Sequence, residues 1–273
     1  MGKKRTIFKI ILLVMMVILL GACENKNKDL PETEEVKENQ SETESETISE
    51  AKTDREILLD MVRELKENGA SLNENLDNEN LYTWDDEDRL IEIHWKGSLN
   101  EVKSLKMEKL TALKTLECSR SLRLEELDVS NLESLEELKC YTNKKLKTLN
   151  VSGLSSLEKL FCFDNKLVEL NVSGLSSLKE LMCGHNKLTE LELKDMPALK
   201  MVCCDRNDIE NLEISNLPSI ELLECSFNNL TELHTDGPVS LKTLWCRWND
   251  LSKLDLRDLT KLEVLAHTMI WAV

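Results

Sequence analysis

Positive charge is scarce in this 273-residue chain: 35 Lys and Arg stand against 51 Asp and Glu, a formal net charge of −16. A surface of that sign repels phosphates and anionic headgroups, which excludes nucleic acid and acidic membrane surfaces as partners of its bulk. Aromatic residues are scarcer still, 4% in a chain that is 41% hydrophobic, so the material for a core is aliphatic. The uncharged apolar run from Ile10 to Leu20 falls well short of the ~20 residues that span a bilayer. Histidine occurs four times, at His94, His185, His234 and His267, without clustering. Nine cysteines in a small exported protein would ordinarily suggest disulfides, but here they recur at too regular a spacing.

What is present begins with "MGKKRTIFKIILLVMMVILLGAC". A basic start, an apolar stretch and small residues before Cys23 are the architecture of a secretory signal peptide over residues 1–22. An uncleaved membrane anchor, the other reading of these residues, wants a longer run. "LGAC" resembles the lipobox of bacterial lipoproteins, and by that resemblance Cys23 is the lipidation site and the mature N-terminus. Residues 23–52, with stretches such as "ENQSETESETISEAK", are acidic and poor in hydrophobics, the composition of an extended, disordered tether. Residues 53–89 read as an N-terminal cap. Its helix spans 53–69, with Thr53 and Glu56 as a capping box, Ile57, Leu58, Met61, Val62 and Leu65 on one face, and Gly69 as its stop.

From residue 90 the chain repeats itself. Cysteines fall at 118, 140, 162, 183, 204, 225 and 246, separated by 22, 22, 21, 21, 21 and 21 residues. Their frame is leucine, two variable residues, leucine, one variable, cysteine, two variable, asparagine, one variable, leucine, as in "LEKLFCFDNKL" from Leu157. A degenerate unit from Leu90 puts Trp95 in the cysteine slot. Over residues 90–273, eight full units and a partial ninth, this pattern closely resembles the leucine-rich repeat family. Among subtypes it is most similar to the short repeats of bacterial internalin-like surface proteins, in which a small apolar residue replaces the third leucine.

The resemblance implies a curved repeat solenoid with a parallel β-sheet on the concave face and short strands and turns on the convex face. One 21-residue unit cannot bury its apolar side alone, whereas stacked units bury a continuous core. Alternation along each strand turns Leu181 and Cys183 inward and Met182 outward. The cysteines therefore form a buried column of small hydrophobes whose reactivity burial suppresses. A tetrahedral zinc site needs converging ligands, which a linear column does not offer. Asn143, Asn165, Asn186, Asn207, Asn228 and Asn249 form a second column; by resemblance they bond the backbone of neighbouring turns.

With those columns committed to the core, function falls to the outward positions. From Leu113 onward there are seven aromatic residues, and six of them, Tyr141, Phe161, Phe163, Phe227, Trp245 and Trp248, stand at outward strand or strand-end positions. With Met182 and Cys203 they make a candidate partner-binding surface, since aromatic anchors dominate binding hot spots. Cys203 is expected to be an exposed thiol, unlike its neighbour Cys204. No catalytic residue, metal ligand or cofactor is assigned. A cysteine-dependent enzyme would have only Cys203 and His185 to draw on, at different edges of the strand.

The resemblance thus implies a lipid-anchored binding protein on the outer face of a bacterial membrane, Gram-positive by its long acidic tether. Its partner would be a protein on a host or bacterial surface, or a glycan. The alternatives are a structural envelope component or a truncated, partly degenerate product, because "LEVLAHTMIWAV" starts a ninth unit and breaks off without a cap.

Overall fold

The computed structural model describes residues 51–233, 240–254, 256–257 and 259–267. The signal peptide, Cys23, nearly all of the tether and the last six residues lie outside them.

The first element, α1 (Asp54–Glu67), forms where the sequence places its signals. The Thr53 side chain accepts from the Glu56 amide, the Glu56 carboxylate accepts from the Thr53 amide, and two otherwise orphaned donors are satisfied. Its far end closes at Gly69, the residue directly after the cap. Asn68 is the cap, Gly69 N–H donates to Lys66 O at 3.0 Å, and Ala70 N–H donates to Leu65 O at 2.8 Å. Gly69 sits at φ +88°, and a Cβ there would lie 2.6 Å from Glu101 Cβ, so both backbone and packing require glycine. Leu58, Val62 and Leu65 are buried, with Ile57 and Met61 packed beside them, so α1 covers the start of the repeat core.

The repeats follow as a parallel solenoid. Nine strands pair in parallel, one per unit: Leu90–His94, Thr115–Glu117, Glu137–Lys139, Lys159–Phe161, Glu180–Met182, Met201–Cys203, Leu222–Glu224, Thr243–Cys246 and Val264–His267. A tenth, Tyr82–Trp84, joins antiparallel to Leu90–His94 and closes the first edge of this main sheet. This strand falls in residues 53–89, which the sequence marks only as a cap with a helix. On the opposite side of the core run shorter parallel sets, such as Ser104–Lys106, Glu126–Asp128 and Thr148–Asn150. Both sets send leucines into one continuous core.

Cys118, Cys140, Cys162, Cys183, Cys204, Cys225 and Cys246 are all free and buried in that core. Trp95, in the first unit's cysteine slot, is fully buried and donates its indole N–H to Tyr82 Oη at 3.2 Å. The asparagine column lies beside them. Asn207 Nδ2 donates to Cys183 O at 3.1 Å and Cys204 O at 3.0 Å, while its Oδ1 accepts from Leu188 N–H at 3.1 Å. Asn165, Asn186, Asn228 and Asn249 repeat this clamp.

The frame slips in the 22-residue units. Ser121 takes the asparagine slot, and one extra residue separates Asn143 from Leu146. The amides meeting Oδ1 change accordingly: Ser121 N–H reaches Asn143 and Asn143 N–H reaches Asn165, each at 2.7 Å. In the last described unit Leu265 is 36% exposed, although its in-register partner Leu244 is fully buried.

Candidate recognition surface

Register turns the outward strand residues into rows that cross the sheet. Glu117, Lys139, Phe161, Met182, Cys203, Glu224, Trp245 and Ala266 pair one with the next, forming one continuous row. Neighbours in it stand ~4.8 Å apart, the parallel strand spacing. Four of the sequence candidates, Phe161, Met182, Cys203 and Trp245, are therefore brought together here.

Two of those four differ from expectation. Phe161 lies outside the core cluster yet is only 2% exposed. Lys139 and Met182 flank it in register. It supports the surface and offers little area to a partner. Cys203 is half-buried, between Met182 and Glu224, and is not the exposed thiol expected. Burial, with the charges of Asp205, Glu224 and Glu180, pushes its pKa up to about 12. The column thiols go the same way; burial takes Cys162 to about 12 and Cys183 well above the usual range. Since the thiolate is the nucleophile, iodoacetamide at pH 8 should leave all eight thiols of the repeats essentially unlabelled in the native protein. Label counted by mass spectrometry should reach eight per repeat domain only after denaturation; fast native labelling of Cys183 would contradict the packing.

The other candidates stand just past the strands. Tyr141 and Phe163 follow Cys140 and Cys162 and stack across adjacent units, centroids 4.8 Å apart and planes within 1°. Phe227 and Trp248 stand two residues after Cys225 and Cys246 and also stack, at 5.6 Å and 16°. The Arg206 guanidinium lies 4.2 Å over the Phe227 ring. Phe227 is 39% exposed and Trp248 61%.

Sequence reasoning missed what is peculiar about this second position. Arg120, Thr142, Asp164, His185, Arg206, Phe227 and Trp248 all adopt positive φ, between 54° and 62°. The turn after each strand demands the left-handed conformation whatever residue is present. Asn, Asp and Gly meet that demand at low cost; Phe and Trp do not. Neither core packing nor backbone preference accounts for exposed aromatic rings at these two slots.

At the other end of the sheet a polar knot surrounds Glu117. Ser119 Oγ and Tyr141 Oη donate to its Oε1 at 3.0 and 3.2 Å, His94 Nδ1 lies 3.8 Å from its Oε2, and Lys96 Nζ lies 3.7 Å from its Oε1. Burial works to raise this carboxyl, but the surrounding donors and cations outweigh it and hold it at about 2. Glu117, and then Glu92, raise His94 above its ordinary value against the opposing effect of burial. The signs fix a window. The raised His94 contributes stability below its unfolded pKa of ~6.5 and loses it as pH rises through the folded value. The lowered Glu117 contributes above ~4.3 and loses it as pH falls toward 2. The stability difference between the parent and Glu117→Gln should therefore be largest between about pH 4.5 and 6.5, read from urea midpoints across pH.

Among the described residues no group of three or more His, Cys, Asp or Glu is placed to hold a metal ion. No hydrogen bond joins Cys203 to His185 among them either.

Parallel units with leucine, cysteine and asparagine columns define a leucine-rich repeat solenoid. The functional domain of InlJ from Listeria monocytogenes, which includes a cysteine ladder, is similar to it at 29% identity over 63% of this chain, with a TM-score of 0.52. YopM, a leucine-rich effector protein of Yersinia pestis, shares the fold at 24% identity over 78% of this chain and a TM-score of 0.60. Internalin C2 from L. monocytogenes does so at 19% identity, over 66% of this chain and 81% of its own length, with a TM-score of 0.53. The chain spans 45% of the InlJ domain and 59% of YopM. The chain has the leucine-rich repeat fold, and InlJ is an internalin-like structure that it resembles. No protein-family model and no curated protein matches the sequence.

Proposed function

We propose that this chain binds a protein partner through the outward rows of its main sheet and performs no chemistry of its own. The observation that carries this reading is the exposed Phe227–Trp248 stack, held at two left-handed turn positions that aromatic residues do not favour. Strain of that kind persists where function selects for it. Trp245 adds a half-buried indole to the adjoining row. The rigid turns beneath hold these rings in place before contact, which lowers the entropy lost on binding.

An enzyme reading has little support. A thiol at about 12 is a poor nucleophile, and the carboxylates of Asp205, Glu224 and Glu180 around Cys203 disfavour its thiolate further.

The delivery of this surface rests on the sequence alone. A signal over residues 1–22, lipid on Cys23 and the acidic tether of residues 23–52 would hold the repeats away from the outer face of a bacterial membrane. A host or neighbouring bacterial surface then lies within reach.

The test is capture from host and bacterial surface extracts by the immobilised chain, read by mass spectrometry. Trp245→Ala should deplete the captured protein several-fold. Capture that Trp245→Ala and the Phe227 and Trp248 changes discussed below all leave intact would place recognition elsewhere.

A further inference from the structure

The turns that follow the first main strands reverse the sign of the chain. Residues 96–100, 119–123, 141–145, 163–166 and 184–187 hold seven Lys and Arg against one carboxylate, Asp164, in a chain of net charge −16. Backbone bonds stack these turns into one strip. Gly97 N–H donates to Ser119 O, Arg120 N–H to Tyr141 O, Thr142 N–H to Phe163 O and Asp164 N–H to Gly184 O, at distances between 2.8 and 3.1 Å.

Before the strands, by contrast, charge is matched. Lys114 meets Glu136 at 3.2 Å, Lys179 meets Glu158 at 2.5 Å and Lys242 meets Glu221 at 2.8 Å, each pair bridging adjacent units. Four cations of the turn strip are engaged as well: Lys96 by Glu117, Arg123 by Glu101, Lys144 by Asp164 and Lys187 by Asp208. Three remain. Arg120, Lys145 and Lys166 are exposed and have no ion pair among the described residues. Glu125, on which Lys145 acts electrostatically, is bonded by Lys147 at 3.2 Å. The three come from successive turns, which span roughly 10 Å at the parallel strand spacing.

Exposed aliphatic side chains accompany them. Leu122, two residues after Arg120, is 61% exposed, and Val168, two residues after Lys166, is 56% exposed. Cations alone would suit any polyanion. Aliphatic groups beside them favour a polypeptide, which carries carboxylates and apolar side chains on one segment, over a phosphate or sulfate polymer.

We propose that this strip is a second docking surface, taking an acidic segment of a protein partner. Its carboxylates meet Arg120, Lys145 and Lys166 while its aliphatic side chains cover Leu122 and Val168. The inference rests on the protein-binding role above and adds a contact separate from the Phe227–Trp248 stack. Arg120 can grip a carboxylate with both prongs of its fork. The acidity of the remaining surface repels such a segment elsewhere and turns it toward the strip of opposite sign.

The test uses the full chain and fluorescent peptides of about ten residues, read by anisotropy. One peptide sets glutamates among leucines, a second has glutamine for each glutamate, and a third has serine for each leucine. The glutamate–leucine peptide should bind at least about tenfold more tightly than the glutamine peptide, a gap that closes at ~1 M salt. Arg120→Gln/Lys145→Gln/Lys166→Gln should abolish the gap, and Leu122→Ser/Val168→Ser should weaken the glutamate–leucine peptide several-fold. All five side chains are exposed, so urea midpoints of both variants should stay near the parent's. Equal binding of the glutamate and glutamine peptides, a gap that survives the triple variant, or no binding by any peptide overturns the docking strip. Tighter binding of inorganic polyphosphate, indifferent to Leu122→Ser/Val168→Ser, would assign the strip to a phosphate polymer and overturn the acidic polypeptide. Failure of the strip leaves partner capture that depends on Phe227 and Trp248 untouched, whereas failure of that capture alone removes the recognition surface and not the peptide result.

Discussion

Asn207→Ala lowers the unfolding free energy by about 3 kcal/mol or more, the largest loss expected from one side chain outside the leucine column. The mutation deletes two donors and one acceptor at a site where the Asn207 side chain is buried. It leaves Cys183 O, Cys204 O and Leu188 N–H without that partner, and each orphaned buried group costs roughly 1–3 kcal/mol. Relaxation and entering water recover part of this, which sets the lower figure. In a solenoid, units contact only their neighbours, so the damage begins locally at the junction of the units around Cys183 and Cys204. Urea unfolding should show the loss. Hydrogen exchange should accelerate first at amides 188–210, ahead of those near α1. Asn229→Ala is the control: Asn229 is exposed, its side chain donates to Asp208 O at 3.4 Å, and the variant's stability should stay within about 0.5 kcal/mol of the parent.

Phe227→Asn/Trp248→Asn weakens partner binding at least about 30-fold with little change in stability. Central aromatic hot spots each cost about 2 kcal/mol or more when truncated. Folding is nearly neutral because two effects oppose. Loss of the stack and of the Arg206 contact removes roughly 1–2 kcal/mol. Placing Asn at two left-handed positions returns a similar amount. This separation is unusual. Phe161→Ala, by contrast, removes a ring only 2% exposed and reports on folding as much as on recognition.

The columns were legible in the sequence because they are periodic. A thiol every 21 or 22 residues, an asparagine three after each from Cys140 onward and leucines between them declare a stacked core before any coordinates. The capping box of α1 was legible for the same local reason. Burial across turns was not. The burial of Phe161 is set by the units stacked on either side of it, whose in-register residues Lys139 and Met182 are 22 and 21 residues away in the chain. The left-handed slot was invisible because Arg, Thr, Asp, His, Phe and Trp share no chemistry; the backbone alone makes them alike. The donors and cations around Glu117 were hidden too, since His94, Lys96 and Tyr141 come from the neighbouring units. The periodic part of the sequence specifies the scaffold, and the surface emerges only when the units are stacked.

The most direct measurement pairs two readings on one preparation of parent and Phe227→Asn/Trp248→Asn chains: the urea midpoint, and the amount of protein partner retained from surface extracts. Superimposable unfolding curves with partner retention reduced to background are the predicted result. Retention equal to the parent, with the fold intact, would contradict the assignment of recognition to the outward face of the main sheet.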